Sequence, residues 1–174
     1  MIVVVMGVAG SGKTTVGTLL ADALQCPFLD GDSLHPAASV EKMARGSPLT
    51  RADRAPWLAA IHARLREAFR RGQSLVAGCS ALEPSSRTIL AEGVPIKWVY
   101  LQGSMELIRS RLQHRTGHYM KADMLASQFE ALEEPSDAIV VEVSQSPGAI
   151  LEKVLTELRG PTHADGRPNG PTQR

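Results

Sequence analysis

The stretch Gly7-Val-Ala-Gly-Ser-Gly-Lys13-Thr14 constrains this chain more than any other. The apolar run Ile2–Met6 precedes it, and Val16, Leu19, Leu20, Ala23 and Leu24 recur behind it at helical spacing. It therefore satisfies G-x-x-x-x-G-K-[ST] together with the strand, turn and helix that this motif requires. The glycines let backbone N–H groups turn inward around phosphate oxygens, and the following helix N-terminus adds a favourable dipole. In this chemistry Lys13 bridges the β- and γ-phosphates of ATP and the Thr14 hydroxyl binds Mg²⁺, with Gly7, Gly10, Ser11, Gly12 and Thr15 completing the cradle. A glycine-rich turn with no ligand is the bland alternative; the full motif in its full context sets it aside.

Four apolar runs rich in Val and Ile, namely Ile2–Met6, Ser74–Ala77, Ile96–Leu101 and Ala138–Val143, read as buried strands, and Pro27–Leu29 as a shorter one. They do not alternate with polar residues, which fits a parallel sheet covered on both faces. Between them lie two more helical stripes, Leu58, Ile61, Leu65, Ala68 and Phe69, then Ile150, Leu151, Val154, Leu155 and Leu158. Thr50 followed by Asp53 reads as a capping box that starts the first of these. Alternating strands and helices predict a three-layer α/β domain with right-handed crossovers. The expected domain is 1–159, and the Gly- and Pro-rich stretch 160–174 is expected to be a disordered tail.

With 174 residues, 21% charged and a net charge of +1, the chain carries no sign of nucleic-acid or membrane-surface binding. No apolar stretch reaches the roughly 18 residues of a membrane span. Cys26 and Cys79 read as free thiols, and no basic leader precedes Ile2, so a cytoplasmic location is expected. A phosphate loop specifies a nucleotide, not a reaction. The N-K-x-D signature of switch GTPases is absent, and AAA-type ATPases are usually larger, so a small kinase acting on a metabolite is expected.

Asp30-Gly-Asp32-Ser-Leu-His35-Pro36 follows the short strand. By itself this is as much a polar turn as a site. At the C-terminal end of a parallel strand, however, it faces the ligand crevice beside the phosphate loop. One carboxylate can then serve the metal and the other the acceptor hydroxyl. Further on, Leu107–Ala122 carries Arg109, Arg111, Arg115 and Lys121 with no acid. It reads as a basic lid, centred on 114–122, that closes arginine onto the phosphates and excludes water. Arg115 is the preferred lid arginine and Arg111 the second.

The blocks GVAGSGKTTVG, FLDGDSLHP, KMARGSPL with DRAPWL, CSAL with Arg87, YLQGSMELIRSRL, RTGHYM and LASQFEALEEP resemble the gluconokinases, small P-loop kinases of the shikimate-kinase-like type. The resemblance runs from residue 3 to about 158. It implies a P-loop nucleoside-kinase-like fold with a five-stranded parallel sheet and a mobile lid. The implied activity is ATP- and Mg²⁺-dependent phosphorylation of D-gluconate to 6-phosphogluconate by a homodimer. Carried over by residue, Lys13 and Asp32 are catalytic together with Arg115, and Asp30 joins Thr14 near the metal. His35, Arg54 and Arg87 become candidate contacts to the sugar acid. Nearer-lying alternatives for Arg54 and His35 are a helix-start ion pair and a turn cap, and Trp57 reads as core. Alternative functions are a kinase for another small polyhydroxy acid, such as shikimate, and a non-catalytic ATP-binding protein.

The chain departs from the family pattern in one region above all. After CSAL a basic pair and a tyrosine are expected, and here Glu83-Pro84 and Ser86 stand instead. Arg51-Ala52 replaces an expected acidic pair, and Ser39 an expected Asn. A carboxylate in place of a cation, desolvated beside an anionic acceptor, costs on the order of 1–3 kcal/mol; facing solvent, it costs little.

Overall fold

The computed structural model describes residues 1–113 and 122–160. The expected lid with Arg115 and the expected tail beyond Gly160 lie outside those residues. Five strands, β1 (Ile2–Met6), β2 (Phe28–Asp30), β3 (Leu75–Gly78), β4 (Ile96–Gln102) and β5 (Ile139–Glu142), form one parallel sheet in the order β2-β3-β1-β4-β5. The apolar runs are the strands, displaced by at most a residue or so at their ends.

β1 shows why both faces are apolar. Ile2, Val4 and Met6 join a cluster with Trp57, Leu58, Ile61, Leu65 and Leu90, whereas Val3 and Val5 pack with Val16, Leu20, Ile150 and Val154. Successive side chains of a strand point to opposite faces, so a strand buried on both sides has no polar position to spare. The first cluster lies under α3 (Arg51–Arg70) and α4 (Pro84–Ala91), the second under α1 (Lys13–Ala23) and α7 (Pro147–Arg159). This is the expected three-layer arrangement.

The expected capping box is present. Thr50 Oγ accepts from the Asp53 N–H at 3.2 Å while Asp53 Oδ2 accepts from the Thr50 N–H at 2.7 Å. Lys42, on the short helix α2 (Ala37–Ala44), donates to the same carboxylate at 2.6 Å. Lys42 first, and Thr50 after it, hold the Asp53 carboxyl down to about 2. The box thus fixes the start of α3 and clips α2 against it. α5 (Met105–Gln113) takes up the first part of the basic segment, so Arg109 and Arg111 lie on a helix, and α6 (Ala122–Ala131) follows the undescribed residues.

Candidate active site

The phosphate loop joins β1 to α1. Gly7, Gly10 and Gly12 adopt φ of 146°, 80° and 103°. At Gly12, the residue before α1, an added Cβ would meet nothing within 4 Å, so its glycine answers to backbone conformation alone. Lys13 Nζ donates to the carbonyls of Gly7 at 3.1 Å and Val8 at 3.0 Å, which holds the ammonium across the mouth of the loop. Ser11 is 2% exposed and its Oγ has no partner among the described residues, an orphan donor inside the cradle. Thr14 and Thr15 are on the first turn of α1, both exposed. A buried hydroxyl seeking an acceptor, a flexible cation and a helix N-terminus are the donor set that phosphate requires.

Two cavities flank this loop. One, of about 430 Å³, is lined by Gly10, Ser11, Gly12 and Thr15 together with Arg111, Val143 and Gln145. Arg111 closes its far wall by donating to the Val143 carbonyl. The other, of about 280 Å³, is lined by Lys13 of the loop together with Asp32, His35, Arg54, Trp57, Ser80 and Gln128 among others. It is at the small end for ligand sites and suits a metabolite. One phosphate loop reached from two sides is the geometry for passing a phosphoryl group between two small molecules.

The acids arrive on β2 and the 3-10 turn Gly31–Leu34 that follows it. Asp30 Oδ1 accepts from the Asp32 N–H at 3.1 Å, an Asx cap that leaves the Asp32 carboxylate exposed toward the second cavity. The turn reaches its place by backbone contact, because a Cβ on Gly31 would stand 2.4 Å from the Gly78 carbonyl oxygen. Trp57 pins it from the other side, its Nε1–H donating to the Gly31 carbonyl at 2.7 Å. The expectation that Trp57 is core is met, since it is 2% exposed. It also stacks on His35 at 4.2 Å with 12° between the rings. Burial there lowers the His35 pKa, a shift that Asp32 partly offsets, and His35 Nδ1 has no partner among the described residues.

Arg54 pairs with Glu83, the departure noted after CSAL, and Glu83 in turn lies 3.7 Å from Arg51. Glu83 therefore neither faces solvent nor lines the cavity; it is engaged by the arginine that does. Arg87 also stands outside the cavity lining. Its Nη1 donates to the carbonyls of Ala81 at 3.1 Å and Leu82 at 3.0 Å. Ala81 is left-handed at φ 45°, a strained conformation for a side chain with a Cβ. The strained turn aims the Ser80 carbonyl at the Gly7 N–H, at 3.3 Å. Cys79 beneath it is no nucleophile, because complete burial pushes its thiol up to about 12.

Sequence reasoning missed the wall contributed by α6. Met124, Ser127, Gln128 and Ala131 line the acceptor-side cavity at i, i+3, i+4 and i+7, the signature of one helix face. Gln128 Oε1 accepts from the Ala9 N–H of the phosphate loop at 2.7 Å, tying that helix to the loop. The signal lay within the LASQFEALEEP block.

The parallel sheet, its strand order and a phosphate loop shared by two cavities define a P-loop small-molecule kinase. A family model described as "AAA domain" matches residues 2–136. The chain is 48% identical to the gluconokinase of Gluconobacter oxydans over 90% of each chain. It is 44% identical to the thermoresistant gluconokinase of Escherichia coli, covering 91% of this chain and 93% of that one. The solved structure of a gluconokinase from Sinorhizobium meliloti is similar with a TM-score of 0.80 at 43% identity, covering 88% of each chain. The chain belongs to the gluconokinase family, within the P-loop group that the AAA-domain model describes.

Proposed function

We infer that the chain transfers the γ-phosphoryl group of ATP to a hydroxyl of D-gluconate, giving ADP and 6-phospho-D-gluconate. The observation that carries this reading is the placement of Asp32, His35 and Arg54 in a small cavity on the acceptor side of Lys13, in a chain whose relatives are gluconokinases. ATP occupies the cavity edged by Arg111, with its phosphates in the loop. Asp32 orients the acceptor hydroxyl and takes its proton as the P–O bond forms and the bond to ADP breaks. Lys13 leaves the loop carbonyls for the transferred phosphoryl oxygens.

The metal supplies charge neutralisation on the phosphates when bound. The Thr14 hydroxyl and the Asp30 carboxylate are oxygen donors of the kind that Mg²⁺ takes, directly or through water. His35 and Arg54 contact the polyol chain and its carboxylate, Arg87 keeps the CSAL turn in place beside them, and Arg115 closes over the phosphates. The homodimer and the cytoplasmic location belong to the same proposal; sedimentation tests the first.

The test is ADP release by the purified protein with Mg-ATP and a panel of sugar acids and polyols. Gluconate-dependent turnover above the ATPase background, abolished in Lys13→Ala, is the expected result. Turnover on a different acid alone sinks gluconate and keeps the kinase. Nucleotide binding with no acceptor-dependent turnover sinks both.

A further inference from the structure

Glu83 lies at the start of α4, and its carboxylate is held from several sides. Arg54 Nη2 donates to Oε1, while Arg51 Nη2 lies 3.7 Å from Oε2 and Ser85 Oγ donates to Oε2 at 3.2 Å. The two arginines are three residues apart at the start of α3, so they present their side chains on one face. Their environments differ. The Arg54 and Glu83 side chains are 26% and 21% exposed, and that of Arg51 is 81% exposed. The inner pair is therefore the strong one, and the outer contact is solvated and weak.

Among the described residues Arg54 is also the only arginine lining the acceptor-side cavity, whose lining includes neither Glu83 nor Arg51. A guanidinium offers five N–H donors, and Glu83 is the only partner of this one among the described residues. A carboxylate brought into the cavity thus meets an arginine already engaged by a carboxylate.

We propose that Glu83 is a specificity-determining residue: an internal carboxylate that occupies the acceptor-binding arginine and weakens the binding of anionic acceptors to it. The inference rests on the sugar-acid reading of the cavity. Two carboxylates drawing on one guanidinium divide its charge and its donors, and the loss falls on the incoming one, which is free to leave. Arg51 limits the penalty by giving the Glu83 carboxylate a second cation as it yields Arg54. The device lowers affinity for sugar acids relative to uncharged polyols of the same length, and it acts on binding and not on the phosphoryl-transfer step.

The experiment compares the wild-type protein with Glu83→Gln, which keeps the shape and the acceptor oxygen and removes only the charge. With saturating Mg-ATP, the KM for gluconate falls about tenfold, the yield of returning one charge-assisted contact of Arg54 to the incoming carboxylate. The kcat stays within about twofold, as expected when an effect is confined to ground-state binding. The KM for ATP does not move, and inhibition by the uncharged polyol glucitol is unchanged. In an Arg54→Ala background the Glu83→Gln effect on gluconate KM vanishes, because the arginine through which it acts is gone. Glu83→Asp, which keeps the charge on a shorter arm, gives a KM between the two.

A gluconate KM that is unchanged in Glu83→Gln makes Glu83 a spectator and overturns the proposal. One that rises makes it a support for Arg54 and also overturns it, as does a fall that persists without Arg54. These outcomes all presuppose turnover on gluconate. If neither the wild type nor Glu83→Gln phosphorylates gluconate, while an uncharged polyol is phosphorylated, the sugar-acid reading itself fails and the proposal with it. Turnover that appears only in Glu83→Gln supports both.

Discussion

Replacing Trp57 by Phe should damage acceptor handling through one hydrogen bond. The indole is 2% exposed, and its N–H reaches the Gly31 carbonyl at 2.7 Å, the link that holds the Asp32-bearing turn against the core. Phenylalanine keeps a ring for His35 to stack on but offers no donor. An orphaned buried carbonyl costs about 1–3 kcal/mol, and the volume lost from a closed core brings the total to about 2–4 kcal/mol. For a domain of this length each kcal/mol lowers the melting temperature by roughly 2–4 °C, so a fall of roughly 5–15 °C is expected by circular dichroism. The turn has no side chain of its own at Gly31, where a Cβ would strike the Gly78 carbonyl, so Leu34 and the sheet pairing of Asp30 are left to hold it. Once loosened, it presents Asp32 less often in a productive position. The kcat for gluconate and its KM should both worsen by ADP-release assay while the KM for ATP holds. A variant that melts like the wild type with unaltered gluconate kinetics would refute the tether. Equal losses on ATP and gluconate would show a general loosening instead.

Three further outcomes follow from the same geometry. Asp32→Asn should depress turnover far more than ATP affinity, since this carboxylate faces the acceptor side; a matching loss of ATP binding would place it on the metal. Gln128→Leu leaves the Ala9 N–H of the phosphate loop without its acceptor, and Mg-ATP binding should weaken about three- to tenfold by titration calorimetry; unaltered binding would mean the loop holds its shape unaided. Burial keeps the folded His35 pKa below its ordinary 6.5, so the unfolded chain takes up the proton first and stability should fall as pH drops below 6.5. His35→Gln should flatten that part of the melting-temperature profile, and identical profiles would count against a buried neutral imidazole.

The parts of this molecule legible in the sequence are those whose signal is local. The strands follow from apolar runs rich in Val and Ile, because a strand covered on both faces, as β1 is, admits no polar position. The start of α3 follows from Thr50 and Asp53, because a capping box closes within four residues. The phosphate loop follows from glycine spacing, because backbone conformation and anion binding impose the same requirement on the same residues. The short helices α2 and α4 give no such signal; each has eight residues, too few for an apolar stripe to repeat. The α6 wall is periodic, but its inward face mixes Met124 with Ser127 and Gln128, the composition of a cavity lining and not of a core.

The acceptor pocket is where local reading stops, because its character is decided by residues that meet only after folding. Arg51 and Glu83 each look like a reversal of charge against the family pattern, one at the start of α3 and the other at the start of α4. Taken singly, Glu83 makes the pocket less hospitable to an anion and Arg51 makes it more so. The fold brings them within 3.7 Å and sets Arg54 beside them, so the two reversals form a new ion pair and the group of three, two arginines and one glutamate, stays cationic. The sequence difference is therefore not a loss of the cation needed by an acidic substrate. It is a change in how much of that cation remains available, which is a question of affinity and not of reaction class. For this reason the kinase chemistry survives the departure after CSAL intact, while the KM for the sugar acid is the quantity on which this chain should differ from relatives that carry a cation at that position.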